Sequence, residues 1–257
     1  MPSHKNWFHA AKIIWQPLVE AATSRSLLHY EDLAPLIPTN NLNVGRALGP
    51  VQTFCMETAR PPLTALVVNK NELVPGPGFI AWDIEDLDRA HAAVFDYDWR
   101  SLKNPFGEIT PEDSLESLTG QLLADPHQSE TVYRLVPDRG VGQQVFRHAL
   151  LEAYDGACAM CGLTFPEALS AAHIVPWYQS SPQQKLDVRN GLLLCGTHHL
   201  LFDQGLMRVT TDYRIVYNNK YPDLSTYSDS DKAATLKLDG QKLRLPEDER
   251  LHPQFPE

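Results

Sequence analysis

Between Trp7 and Ala21 apolar side chains recur at helical spacing, at Phe8, Ile13, Ile14, Leu18 and Val19. The pattern predicts an amphipathic helix, with Pro17 as the point where it kinks or splits. Ser24-Arg25-Ser26 offers a cap for a second helix over 27–34, stopped by Pro35 and Pro38. Asn43 opens a third, carried by Val44, Leu48, Val51, Phe54 and Met56, with Pro50 inside it and Pro61-Pro62 after it. The period then changes. Leu63 to Val68 predicts a strand, Asn69-Lys70-Asn71 a turn, and PGPGF leads into a returning arm at Phe79-Ile80.

Three helices followed by a β-hairpin is the order of a winged helix. VGRALGPVQTFC is then the candidate recognition helix, with Arg46 near its start, and PGPGF the wing tip. Residues 83–100 alternate acids with Leu87, Ala90, Val94 and Phe95 and predict a helix. Residues 101–130, broken by Pro105, Gly107, Pro111, Gly120 and Pro126, read as a linker with one short helix at most. A further amphipathic helix runs from Gln143 to Tyr154. Near the end, 206–209 and 214–217 predict a hairpin, 236–238 and 242–245 a second one, and the tail from Pro246 reads as loose. The expectation is an α+β chain in two domains: 1–100 for recognition or interaction, 101–134 as linker, and 135–257.

Composition narrows this only a little. No apolar run among the 257 residues is long enough to span a bilayer, and the N-terminal segment lacks the features of a secretory signal. A cytoplasmic chain without a membrane partner is expected. The net charge of -10 is concentrated: residues 83–130 hold 12 acidic against 3 basic side chains, and the flanks are near neutral. Total charge therefore decides little about partners.

Three of the 4 cysteines lie in one pattern. Cys158 and Cys161 form a CxxC, and Cys195 opens a CxxH with His198. Each tight turn aims two ligands at one point, and two turns close a tetrahedron, as a structural Zn²⁺ requires. Between the two turns stand AAHIVPW and Asn190-Gly191, and just beyond them His199 and Asp203.

This segment resembles the HNH (ββα-metal) endonuclease family, in particular its restriction-type members with CxxC/CxxH zinc knuckles. The order CxxC, His-Ile-x-Pro, Asn-Gly-Leu-Leu-Leu, CxxH-His and Phe-Asp-x-Gly carries the likeness over about residues 143–217. The resemblance implies a C-terminal ββα-metal nuclease domain that cleaves DNA. It implies His173 as general base, with Asn190 tying the loop between the strands or orienting the base. His199 and Asp203, four apart on one helix face, are then the ligands of a catalytic Mg²⁺ or Mn²⁺. Lys185 and Arg189 precede Asn190 and, with Arg46, are the nucleic-acid-binding candidates. Many family members carry a metal-binding Asp or His where this chain has Ala172. Water, phosphate or Ser170 could fill that place.

The function expected is a metal-dependent DNA endonuclease in restriction or defence against foreign DNA. Ala172 favours one alternative, a non-catalytic zinc-stabilised nucleic-acid-binding protein. The other is a partner-controlled, toxin-like nuclease in which the acidic 83–130 segment shields the site. For the first domain, homodimerisation or another protein contact stands beside DNA recognition.

Overall fold

Asn6 starts the first helix by accepting the amide of His9 on its side-chain oxygen at 2.9 Å, which satisfies one of the orphan donors of the first turn. The computed structural model describes residues 6–37, 43–136, 138–218 and 227–256, so Pro38 lies outside the described residues. Helix α1 (Trp7–Ser24) continues through Pro17 without dividing. Ile14, Trp15, Leu18 and Val19 flank the proline and are all buried. Their burial outweighs the backbone hydrogen bond that Pro17 removes.

The predicted second helix is mostly something else. Strand β1 (Leu28–His29) comes first, then one turn of helix, α2 (Tyr30–Leu33). Helix α3 (Val44–Glu57) matches its expectation and also runs through its proline, Pro50. An aromatic group joins these elements. The ring of Trp15 lies 5.5 Å from Phe54, 6.1 Å from Trp99 and 6.4 Å from Phe106, each edge-on.

Residues Leu63–Leu66 form a 3-10 turn, leaving only β2 (Val67–Val68) as strand, and β2 pairs with β1 in parallel. The expected β-hairpin is absent here, and with it the winged-helix arrangement. Pro75 and Pro77 have no amide to donate to a ladder. The amides of Gly76 and Ile80 are instead taken by Tyr30 and Gln52 side-chain oxygens, at 2.8 and 3.0 Å.

Helix α4 (Leu87–Asp96) lies within the acidic segment and fills the middle of the helix expected over 83–100. The region read as a linker holds α5 (Leu115–Ala124) and α6 (Ser129–Leu135), with Phe106, Ile109, Leu118, Leu122 and Val132 fully buried. Its prolines and glycines punctuate the chain, but its apolar residues anchor it. Contacts divide the chain into two compact units, 1–118 with 134–144, and 119–133 with 145–257.

The second unit is built on α7 (Arg139–Ala153) from Val145 onward and on an antiparallel hairpin of β3 (Leu169–His173) and β4 (Gly191–Cys195). Every residue of β4 is buried. Helix α8 (Gly196–Asp203) follows directly and packs on both strands. Strands β5 (Met207–Val209) and β6 (Ile215–Tyr217) make the expected hairpin. The second predicted hairpin does not form. Residues 236–238 turn, and Lys242 bridges to Arg214 beside β6. A short helix, α9 (Asp229–Ala234), lies between. The tail is also better held than its polarity suggests: Leu251 is buried and the amide of Gln254 donates to the Arg189 carbonyl at 2.7 Å. The chain is thus α+β.

Gly191 sets how closely α7 approaches the hairpin. A Cβ there would stand 2.5 Å from Cζ of Phe146 and 2.8 Å from Cδ1 of Leu150. Gly191→Ala is expected to cost about 1–3 kcal/mol of stability, as overpacked cores do. Chemical denaturation checks this, and an unchanged midpoint and slope would show that α7 yields without cost.

Candidate metal centre and catalytic cluster

The first knuckle follows α7. Cys158 donates its amide to the carbonyl of Leu163 at 2.9 Å, and Gly162 returns to the carbonyl of Cys158 at 2.9 Å. Gly162 takes φ of 74°, a left-handed conformation that admits glycine without strain. The second knuckle is the junction of β4 and α8, where Cys195 is the N-cap residue and His198 lies in the first turn. One ligand atom from each of Cys158, Cys161, Cys195 and His198 falls within 4.8 Å of every other. Cys195 Sγ is 3.1 Å and Cys158 Sγ 3.6 Å from His198 Nδ1, and the sulfurs of Cys161 and Cys195 are 3.9 Å apart. A tetrahedral ion with metal–sulfur bonds of about 2.3 Å and metal–nitrogen bonds of about 2.0–2.1 Å needs ligand separations of this size. The four residues therefore fit a metal ion.

The outer partner of His198 agrees with that role. Its Nε2 donates to the carbonyl of Ala234 at 3.0 Å, which leaves the lone pair on Nδ1, facing the three sulfurs. Burial opposes ionisation at Cys158, but its contact with His198 and hydrogen bonds from the backbone amides of Cys161, Cys195 and Met160 outweigh it and bring the thiol down to about 6. Burial pushes Cys161 up to about 12 and raises Cys195 as well, with the charge of Cys158 adding to both. Three thiols so placed lose their protons together only against a cation.

His173 closes β3 opposite Gly191. Its Nε2 donates to the carbonyl of Lys185 at 3.0 Å, so the lone pair resides on Nδ1. The ring stacks on Phe146 of α7, centroids 4.2 Å apart, and meets Trp177 edge-on at 5.6 Å. These three contacts fix both tautomer and ring plane. Asn190 is 6% exposed, and its amide serves the loop between the strands. It accepts the amide of Val175 at 2.8 Å and donates to the carbonyl of Gln184 at 3.0 Å and to that of Val175 at 3.2 Å. Because Lys185 follows Gln184, this strap also places the carbonyl that orients His173.

His199 and Asp203 lie on one face of α8, Nε2 to Oδ2 at 3.5 Å, with Asp203 59% exposed. Ser170 Oγ is 2.7 Å from His199 Nδ1 and donates to the carbonyl of Leu194 at 3.4 Å. Nδ1 therefore carries the proton and Nε2, beside the carboxylate, keeps its lone pair. Ser170 thus meets the imidazole on its Nδ1 side, away from Asp203. The pair offers two donors to a divalent ion. Among the described residues, the knuckle set is the cluster of three or more metal-ligating groups.

The basic candidates fare differently. Lys185 lies 4.8 Å over Tyr133 and 5.3 Å over Trp177, and donates to the Tyr133 hydroxyl at 3.1 Å. Arg189 is committed within the chain. It grips Asp187 through Nε at 3.0 Å and Nη2 at 2.7 Å, and that contact raises its pKa above the usual arginine value. Arg46 belongs to the first unit and borders a cavity with the PGPGF loop. The alignment of Phe146, Trp177 and the Lys185 carbonyl on His173 was missed in the motif, because main-chain acceptors and ring faces leave no spacing signature. Ala234 as partner of His198 has no local signal either, standing 36 residues away.

No curated protein matches the chain. The family model described as HNH endonuclease matches residues 158–210, from the first knuckle cysteine through α8 and β5, and these residues form an HNH endonuclease family domain with a nucleic acid as the substrate it implies.

Proposed function

We propose that the protein is a metal-dependent DNA endonuclease that hydrolyses phosphodiester bonds, with His173 as general base. The observation that carries the reading is the fixed His173 ring, which lies inside the matched HNH segment and is held by Lys185 and Trp177 of that segment and by Phe146 of α7. In this reading Nδ1 takes the proton of the attacking water, while Nε2–H stays on the Lys185 carbonyl and steadies the imidazolium. Asn190 acts as a positioning residue through the loop it ties. His199 Nε2 and Asp203 would hold Mg²⁺ or Mn²⁺, with Ser170 keeping the tautomer of His199. When bound, such an ion supplies positive charge against the phosphorane and the leaving oxygen. Cys158, Cys161, Cys195 and His198 would hold a structural Zn²⁺.

Incubation of the purified protein with plasmid DNA tests this. Nicked or linear product is expected with Mg²⁺ or Mn²⁺ and none with EDTA. The absence of product under every metal would favour the non-catalytic, zinc-stabilised nucleic-acid binder that Ala172 suggests. Excess Mn²⁺ is expected to restore part of the activity lost in Asp203→Ala, since that defect lies in ion affinity. A role in restriction or defence adds a cellular expectation: the wild type lowers transformation by foreign plasmid DNA relative to His173→Ala.

A further inference from the structure

The PGPGF loop and α3 enclose a cavity of about 560 Å³ in the first unit, within the ~300–1,000 Å³ range of small-ligand sites. Tyr30, Leu48, Pro75, Pro77 and Phe79 give it flat apolar walls. These walls are built in advance. The Tyr30 hydroxyl accepts the amide of Gly76 at 2.8 Å, and Gln52 clamps the loop through Ile80 and through the carbonyl of Gly78 at 3.2 Å. At Gly49, which lines the cavity, an added Cβ meets nothing within 4 Å.

Two polar groups are not used by this scaffold. Thr64 lines the cavity, is only 4% exposed, and its Oγ1 has no hydrogen-bond partner. A buried hydroxyl left unpaired is destabilising, and valine fills the same volume without that cost. Arg46 stands exposed at the rim and, among the described residues, has no carboxylate partner.

We propose that this cavity binds one nucleotide unit. The base lies between the aromatic and proline faces, Thr64 turns about its Cα–Cβ bond to bring Oγ1, which has no open surface as the side chain stands, to the polar edge of the base, and the Arg46 guanidinium holds the adjoining phosphate. A purely apolar ligand leaves Thr64 unsatisfied, and a duplex is too wide to enter. A base belonging to DNA therefore reaches the cavity only when everted from its stack. A free nucleotide presents the same chemistry. The inference rests on the nuclease reading only for the expected source of that nucleotide.

Saturation-transfer NMR with the four deoxynucleoside monophosphates, without added Mg²⁺ or Mn²⁺, tests it on the full chain. A duplex carrying 2-aminopurine, read by fluorescence, separates the sources. Transfer to at least one nucleotide is expected, abolished in Gly49→Leu and weakened about tenfold in Thr64→Val and in Arg46→Ala. Thr64→Val should also raise Tm, by about 2–4 °C, so that lost affinity is not lost folding. A fluorescence rise with wild type that Gly49→Leu lacks identifies an everted base. Transfer without that rise identifies a free nucleotide. No transfer from any of the four and no fluorescence change, or equal binding by Gly49→Leu, overturns the proposal. Plasmid cleavage is scored apart: a chain that cuts but binds nothing in the cavity keeps the nuclease reading and loses this one.

Discussion

Cys195→Ser is expected to release the bound ion and to unfold much of the second unit. Cys195 caps α8, ends β4 and faces both other thiols, so its sulfur joins three elements at one point. Binding of structural zinc contributes about 10–16 kcal/mol in small zinc domains, as much as or more than the roughly 5–15 kcal/mol net stability of a typical domain. Serine preserves volume but offers no thiolate. Elemental analysis of wild type purified without added metal should find about one zinc per chain, and the variant almost none, with a collapsed Tm and poor solubility. A variant that keeps both metal and Tm, or a wild type with a Cys158–Cys161 disulfide and no metal, would contradict the assignment. His198→Ala should follow Cys195→Ser, and Cys55→Ser should not, because Cys55 is buried in the first unit, apart from the cluster.

The grouping of candidate ligands in the second unit was legible because they are local in sequence. Cys158 with Cys161, and Cys195 with His198, each sit on one turn, and four-residue spacing on a helix puts His199 and Asp203 on one face. What orients those groups was not legible. The Lys185 and Ala234 carbonyls act across the fold through main-chain atoms that every residue carries, and the Ser170 hydroxyl reaches His199 from 29 residues away. The first unit misled for a related reason. Leu63 to Val68 has strand composition, but its pairing depends on β1, whose Leu28 and His29 face Val67 and Val68 from 39 positions earlier, and Pro75 and Pro77 deny it a local partner. Nor did the sequence show that Asp187, two residues before the phosphate-contact candidate Arg189, pairs with its guanidinium. The tail looked loose because the few apolar side chains that hold it, such as Leu251, are outnumbered by polar ones.

The second large effect falls on His173. His173→Ala is expected to lower the cleavage rate by about 10²–10⁴-fold, the usual contribution of a positioned general base. Binding of DNA should change little, since the residue is assigned to proton transfer. The neighbouring contacts make a finer expectation. Asn190→Ala frees the loop that bears Lys185, so it should slow cleavage by releasing the ring of His173 while leaving Nδ1 chemically intact. Metal affinity should not follow either change, because His199 and Asp203 are held by Ser170 and by their own helix.

The most direct measurement is the ratio of cleavage rates of wild type and His173→Ala on the same DNA at saturating Mn²⁺, with the fold of both checked by their Tm. A ratio of about 10² or more, unchanged by further Mn²⁺, is the result expected of a base that moves a proton. A ratio near one, or a His173→Ala activity that Mn²⁺ restores while His199→Ala and Asp203→Ala stay inactive, would contradict the assignment of base and metal ligands.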